Sequence, residues 1–249
     1  MSVRLRSAVG WLAGTAAAAA AAYGSSAVLS WLRYGHRVES DNVTHDQLLD
    51  LFMPCYDIVE RHQIQIAAPA DLVMAQAREM DIADNPIARA IFKTRELVMR
   101  GTAVQRHSRG VIAETMALGW GILAEVPGHE IVMGAVTKPW EANVTFTALP
   151  PDRFRAFADP DFVKIAWTLR ADPTGPSTAV FRTETRAVAT DPAARSRFRR
   201  YWALVSPGVW LIRRLSLKPL KRKTERAFRR SEAGIGLPQA ARERTEKAA

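Results

Sequence analysis

Cysteine occurs once in the 249 residues, at Cys55, so the chain cannot close a disulfide on itself or hold a metal in a thiolate cluster. The five histidines, His36, His45, His62, His107 and His129, lack the close spacing that metal ligation uses, and neither a metal nor a cofactor is expected. Also missing are a phosphate-cradling glycine loop, a nucleophile elbow and a metalloprotease helix. The signatures of the commonest nucleotide-dependent and hydrolytic enzymes are therefore absent. Charge is absent from one whole stretch, Ser7 to Leu32, which runs 26 residues without Asp, Glu, Lys or Arg. Acid is scarce in another: Arg195 to Arg230 holds 13 Lys or Arg and a single acid, Glu225. That segment carries +12 against +10 for the chain, so the remaining residues together carry −2. The basicity belongs to one segment and not to the protein as a whole.

As a helix, the uncharged stretch would reach roughly 39 Å, longer than the ~30 Å hydrocarbon core of a bilayer. Arg4 and Arg6 precede it, and Arg33 and Arg37 follow it. Alanine dominates the run, and Gly10, Gly14, Gly24, Ser25, Ser26 and Ser30 dilute its apolar residues. Three readings stay open: an uncleaved membrane anchor over residues 1–33, a cleaved export signal ending near Ser25-Ser26-Ala27, and a soluble alanine-rich helix. Length and flanks fit the anchor better than a signal's shorter apolar region. With two Arg on each side, the positive-inside rule leaves the orientation open. Residues 34–53 read as a linker with one short amphipathic helix. There Thr44 and Gln47 form a capping box ahead of Leu48, Leu49, Leu51 and Phe52, which should dock on the domain.

The stretch Tyr56 to Met80 organises the rest of the chain. Ile58, Ile64 and Ile66 alternate with Asp57, Arg61, Gln63 and Gln65, the period of a half-buried strand. Pro69 then suits the first position of a helix, and Asp71 complements the helix dipole. Leu72, Val73, Gln76, Ala77 and Met80 continue at helical spacing. A strand ending I-x-I-x-x-A-P and passing into a short amphipathic helix resembles the START/Bet v 1-like superfamily, also called SRPBCC or helix-grip, which includes polyketide cyclase-like proteins.

The order of later elements is similar to that family over about residues 56–214. A second helix is bracketed by Asn85, Pro86 and Gly101, and a loop carries His107, Ser108 and Arg109 through to Leu118. A hairpin turns at Pro127-Gly128, a short strand covers Asn143 to Ala148, and residues 150–160 read as a loop. Strands Phe162 to Asp172 and Ser177 to Thr190 come next, before a long helix capped by Asp191 and opened by Pro192. The resemblance implies an α+β helix-grip fold: a curved antiparallel sheet wrapped around that last helix, two short helices after strand 1, and a cavity between. Ser206-Pro207-Gly208 should break or kink the helix, which divides a ligand-binding domain, 54–206, from a basic helix and tail, 207–249.

Within this frame Glu60 and His62 share the face of Ile58, Ile64 and Ile66. A carboxylate beside an imidazole on an apolar wall can orient a ligand or exchange a proton with it. The alternative is a pair at a strand end that satisfies itself. Trp120 and Trp167 fall on inward faces, as do Phe181 and Thr183; aromatic walls suit flat or isoprenoid ligands, but such residues are more often plain core. Glu184 between Arg182 and Arg186 reads as a charge ladder on a solvated face. Three functions are compatible with these residues: a membrane-tethered domain binding a hydrophobic small molecule or lipid, a cyclase or aromatase using Glu60 and His62, and a non-catalytic scaffold. The basic segment suits a solvated face first, an anionic membrane surface next, and nucleic acid least, since no binding motif accompanies it.

Overall fold

Strands and helices succeed one another in the computed structural model, which describes residues 18, 21–34, 38–39, 46–80 and 110–233, in close to the expected order. Helix α1 covers residues 21–33, followed by β1 (Val38–Glu39), α2 (Gln47–Asp50), β2 (Cys55–Tyr56), β3 (Ile58–Ile66) and α3 (Ala70–Arg78). After α4 (Val111–Ala117) come β4 (Gly121–Val126), β5 (Glu130–Thr137), β6 (Phe146–Thr147) and α5 (Pro151–Ala156). The hairpin β7 (Val163–Gly175) and β8 (Thr178–Ala189) leads into α6 (Pro192–Glu232).

The main sheet is antiparallel, with order β3-β8-β7-β5-β4 and β6 paired to β5. Its hairpins are set by turn chemistry. Gly128 takes φ +73°, and the His129 N–H donates to Val126 O at 3.0 Å, the geometry of a type II turn with Pro127 leading. Asp191 caps α6 by accepting from the N–H groups of Ala193 and Ala194. Because side chains alternate along every strand, the sheet has two faces. On the inner face Ile66, Ile131, Met133, Leu169 and Phe181 pack against Val73 and Met74 of α3, Ile112 of α4 and Leu220 of α6. Nearer the start of α6, Ile58, Val163 and Ala187 pack against Phe198 and Trp202. Each fully buried side chain of this size stabilises the fold by roughly 1.5–3 kcal/mol relative to exposure. This is the helix-grip arrangement: an antiparallel sheet holding a long C-terminal helix.

Several expectations are corrected. The last helix does not end at Ser206-Pro207-Gly208; it runs unbroken for 41 residues through Pro207 and Pro219. A second helix supports that stretch. The Tyr23 hydroxyl donates to Leu204 O one turn before Pro207, where the proline ring disturbs the hydrogen-bond ladder, and Ser206 Oγ meets Ser30 Oγ at 2.7 Å. The N-terminal helix is accordingly not separate from the domain but docked on α6. The apolar side of the basic stretch is spent on the fold, with Ile212 and Leu220 buried.

The outer face is covered near the linker and exposed at Arg61, Gln63, Gln65 and Arg182. Leu49, Phe52 and Met53 from the linker, with Phe154 of α5, close over Val132, Val136 and Ala166. Arg186 beneath them is fully buried: it donates to Glu184 Oε1 at 2.6 Å and to Met53 O at 2.8 Å, and pairs with Asp50. Glu184 and Arg186 thus form a buried network that fastens the linker, while Arg182 stays half-exposed and pairs with Asp172. The linker helix is capped by Asp46, whose Oδ1 accepts from the Leu49 N–H at 2.9 Å, and not by Thr44, which lies outside the described residues. Residues 150–160 contain α5, which has Asp152 in its first turn, Arg153 and Arg155 in its last, and Phe154 as its buried anchor. Phe154 can approach the sheet because Gly134 faces it: a Cβ there would lie 3.1 Å from the Phe154 ring and 2.4 Å from Leu123 Cδ1. The expected loop up to Leu118 includes α4, while the second helix expected near 85–101 and His107, Ser108 and Arg109 lie outside the described residues.

Among the described residues no helix is long and apolar enough to cross a membrane. Residues 7–17, 19 and 20 of the uncharged stretch lie outside them. The remainder, α1, leaves Val28, Leu29 and Leu32 59–66% exposed.

Candidate functional site

Strand register assembles the candidate site. Glu60 stands opposite Thr185, which stands opposite Trp167, which stands opposite Met133, forming one row across four strands. In the next row His62 faces Thr183, and in the one after it Ile64 faces Phe181, which faces Ala171. A row of Ile58, Ala187 and Ile165 lies on the other side. The inner face is therefore an apolar floor interrupted by one polar patch of four side chains: Glu60, His62, Thr183 and Thr185.

Two residues from outside the sheet complete the patch. Arg213, from α6, donates through Nη1 to Thr183 Oγ1 at 3.0 Å and through Nη2 to Thr185 Oγ1. Tyr34, directly after α1, packs edge-on against Trp202 with ring centroids 6.2 Å apart and donates its hydroxyl to Glu60 Oε1. The sequence expectations single out neither residue. Arg213 carries a legible signal: extending the spacing of Trp202, Val205 and Val209 by four residues puts it on the gripping face. The expected break at Pro207 hides that continuation.

The electrostatics of the patch are unequal. Glu60 Oε2 and His62 Nε2 are 3.8 Å apart, beyond a hydrogen bond. Burial, then the positive charges of Arg213 and Arg214, hold the His62 pKa below its ordinary value, so the imidazole is neutral at pH 7. Its Nε2 is buried and, among the described residues, has no hydrogen-bond partner. Desolvation lowers Arg213 to about 10, with Glu60 opposing the shift, so the guanidinium stays charged at neutral pH. Among the described residues no carboxylate forms an ion pair with it.

The aromatic candidates sit differently. Trp167 borders the patch through its pairing with Thr185, and Trp120 meets Trp167 edge-on at 6.5 Å and Phe146 at 5.0 Å. Phe181 is 1% exposed and fully engaged in the core. Glu60, His62 and Thr183 are thus brought together, Trp167 and Trp120 form an adjoining aromatic wall, and Phe181 is packing.

Two other features lie outside the patch. An open cleft of about 410 Å³ is lined by Val136, Leu149, Arg153, Phe157, Asp159 and Phe162. On the outer face Glu130 is pushed up to about 8 by burial and by Asp46 and Asp172, with Arg170 opposing. Asp46 also caps α2, so this pair belongs to linker docking. Among the described residues no group of His, Cys, Asp and Glu is placed to hold a metal.

No protein family matches the chain, and no curated protein matches it by sequence. Solved structures with a similar trace include a hypothetical protein from Helicobacter pylori, at 7% identity over 75% of this chain and 99% of that one, with a TM-score of 0.36. The Zhui aromatase/cyclase from a Streptomyces species matches at 14% identity over 72% of this chain and 99% of that one, with a TM-score of 0.26. A norcoclaurine synthase point mutant from Thalictrum matches at 14% identity over 67% and 93%, with a TM-score of 0.28. The fold assignment rests on the strand order and the position of α6, not on these distant likenesses.

Proposed function

We propose that the protein binds a hydrophobic small molecule or lipid against the inner face of the sheet, with the ligand's polar end on the patch of Tyr34, Glu60, His62, Thr183, Thr185 and Arg213. One observation carries the reading: within an apolar floor, and among the described residues, a buried imidazole nitrogen has no hydrogen-bond partner and the Arg213 guanidinium donates only to two neutral threonine hydroxyls. Unpaired polar groups of this kind cost stability, and a protein that retains them has a use for them that packing does not supply. Trp167 and Trp120 offer the apolar body of the ligand an adjoining wall.

The same reading makes the N-terminal stretch a membrane tether that keeps the domain beside a source of apolar ligand. Its support is the uncharged run of 26 residues and the exposed Val28, Leu29 and Leu32 of α1. A second reading, a cyclase or aromatase-type enzyme, is favoured by the neutral His62 beside Glu60. An imidazole held below its ordinary pKa can take a proton from a substrate, and a neighbouring carboxylate steadies the cation that forms. Organic extraction of the detergent-purified full chain decides between them. A copurifying lipid or hydrophobic molecule supports binding. An empty protein that turns over a supplied polyketide-like substrate supports the enzyme, and an empty, inert one leaves a scaffold.

A further inference from the structure

We infer that the ligand's polar end is an anionic oxyacid, a carboxylate in the simplest case, received by Arg213 and His62. This rests on the binding reading above and adds the charge of the ligand. Arg213 presents a planar fork of five N–H donors, and among the described residues only two neutral threonine hydroxyls engage it. Those two hydroxyls stand at successive inward positions of β8, so they fix the plane of the guanidinium over the floor and leave its remaining donors for a planar acceptor. Three other cations along α6 pair with acids, Arg195 with Asp57, Arg197 with Asp161 and Lys221 with Glu225. Arg213 is turned inward onto the two threonines and, among the described residues, forms no such pair.

Glu60 acts on Arg213 through its charge but forms no ion pair with it: the Tyr34 hydroxyl occupies Oε1, and the carboxylate lies beside His62 on the strand beyond the threonines. A carboxylate received here meets Arg213 directly, and the exposed Arg214 adds a second positive charge near His62. The unpartnered His62 Nε2, in a side chain only 10% exposed, then donates to or accepts from the second ligand oxygen according to its tautomer. Because Trp167 is the cross-strand neighbour of Thr185, the apolar body of such a ligand would leave the patch toward an aromatic wall. An amphipathic acid with a flat or extended hydrophobic part matches both ends.

The test uses the detergent-purified full chain and two probes with the same rings, 2-naphthoate and its neutral amide, 2-naphthamide, titrated calorimetrically at pH 7.5. The expected result is a dissociation constant for the acid at least about tenfold below that for the amide, a preference that Arg213→Gln abolishes. The comparison on the unaltered protein needs no variant, so it stands even if Arg213→Gln does not fold. Equal binding of acid and amide, or a preference that survives Arg213→Gln, overturns the anionic assignment and leaves the binding reading intact. Binding of neither probe counts against both, and the extraction experiment then decides the binding reading by itself.

Discussion

Tyr34 holds Glu60 through a hydrogen bond from its hydroxyl to Oε1, and that bond ties the N-terminal helix to the candidate site. It also restrains the carboxylate at 3.8 Å from His62 Nε2, too far for a hydrogen bond. In Tyr34→Phe the carboxylate is released and can close on the imidazole. The expected outcome is a higher His62 titration midpoint in the variant, followed by NMR of the ring protons across pH 4–9. An unchanged midpoint would mean that Tyr34 does not set the charge state of its neighbour.

A second consequence concerns alkaline stability. Glu130 titrates at about 8 in the folded chain against an ordinary value of 4.5, so between those values the folded state holds a proton that the unfolded state has lost. Stability linked to this group is complete below pH 4.5, declines as pH rises toward 8 and stays reduced above it. Glu130→Gln keeps the shape of the protonated acid without the titration. The variant should melt close to the parent at pH 5 and at a higher temperature than the parent at pH 9. A variant that melts lower than the parent at both pH values would show that the carboxylate is ionised and needed where it sits.

The docking of α1 on α6 is also open to a direct check. Ser30 and Ser206 meet at 2.7 Å and are both buried, so the pair Ser30→Cys with Ser206→Cys should crosslink under mild oxidation, giving a faster-migrating band that reductant reverses. Native Cys55 is not part of this contact and serves as the background control. Failure of the pair to crosslink would detach α1 from the fold and, with it, Tyr34 from the patch.

How much of this was legible in the sequence depends on the range of the interactions. Period-two alternation located Glu60, His62 and Thr183 on one face, because that period is a local property of the backbone. The Pro127-Gly128 turn and the Asp191 cap were legible for the same reason. Arg213 and Tyr34 were not, because each reaches the patch through packing between distant segments. Pro207 carries a local rule that ends helices, yet here contacts from Tyr23 and Ser30 override it. The Arg182-Glu184-Arg186 alternation reads as solvated by composition, which holds for Arg182. Only the linker's Leu49, Phe52 and Met53, folding back from more than 100 residues away, bury Glu184 and Arg186.

The central claim is that one ligand occupies the inner face at the polar patch, and native mass spectrometry of the full chain released from detergent micelles tests it most directly. Thr185 lies mid-patch, between Glu60 and Trp167 and under Arg213, so Thr185→Trp would fill the space a ligand needs. The account predicts an adduct of a few hundred daltons or less on the parent chain that is absent from a folded Thr185→Trp variant. Adducts of equal mass and abundance on both chains, or none on the parent, would contradict it.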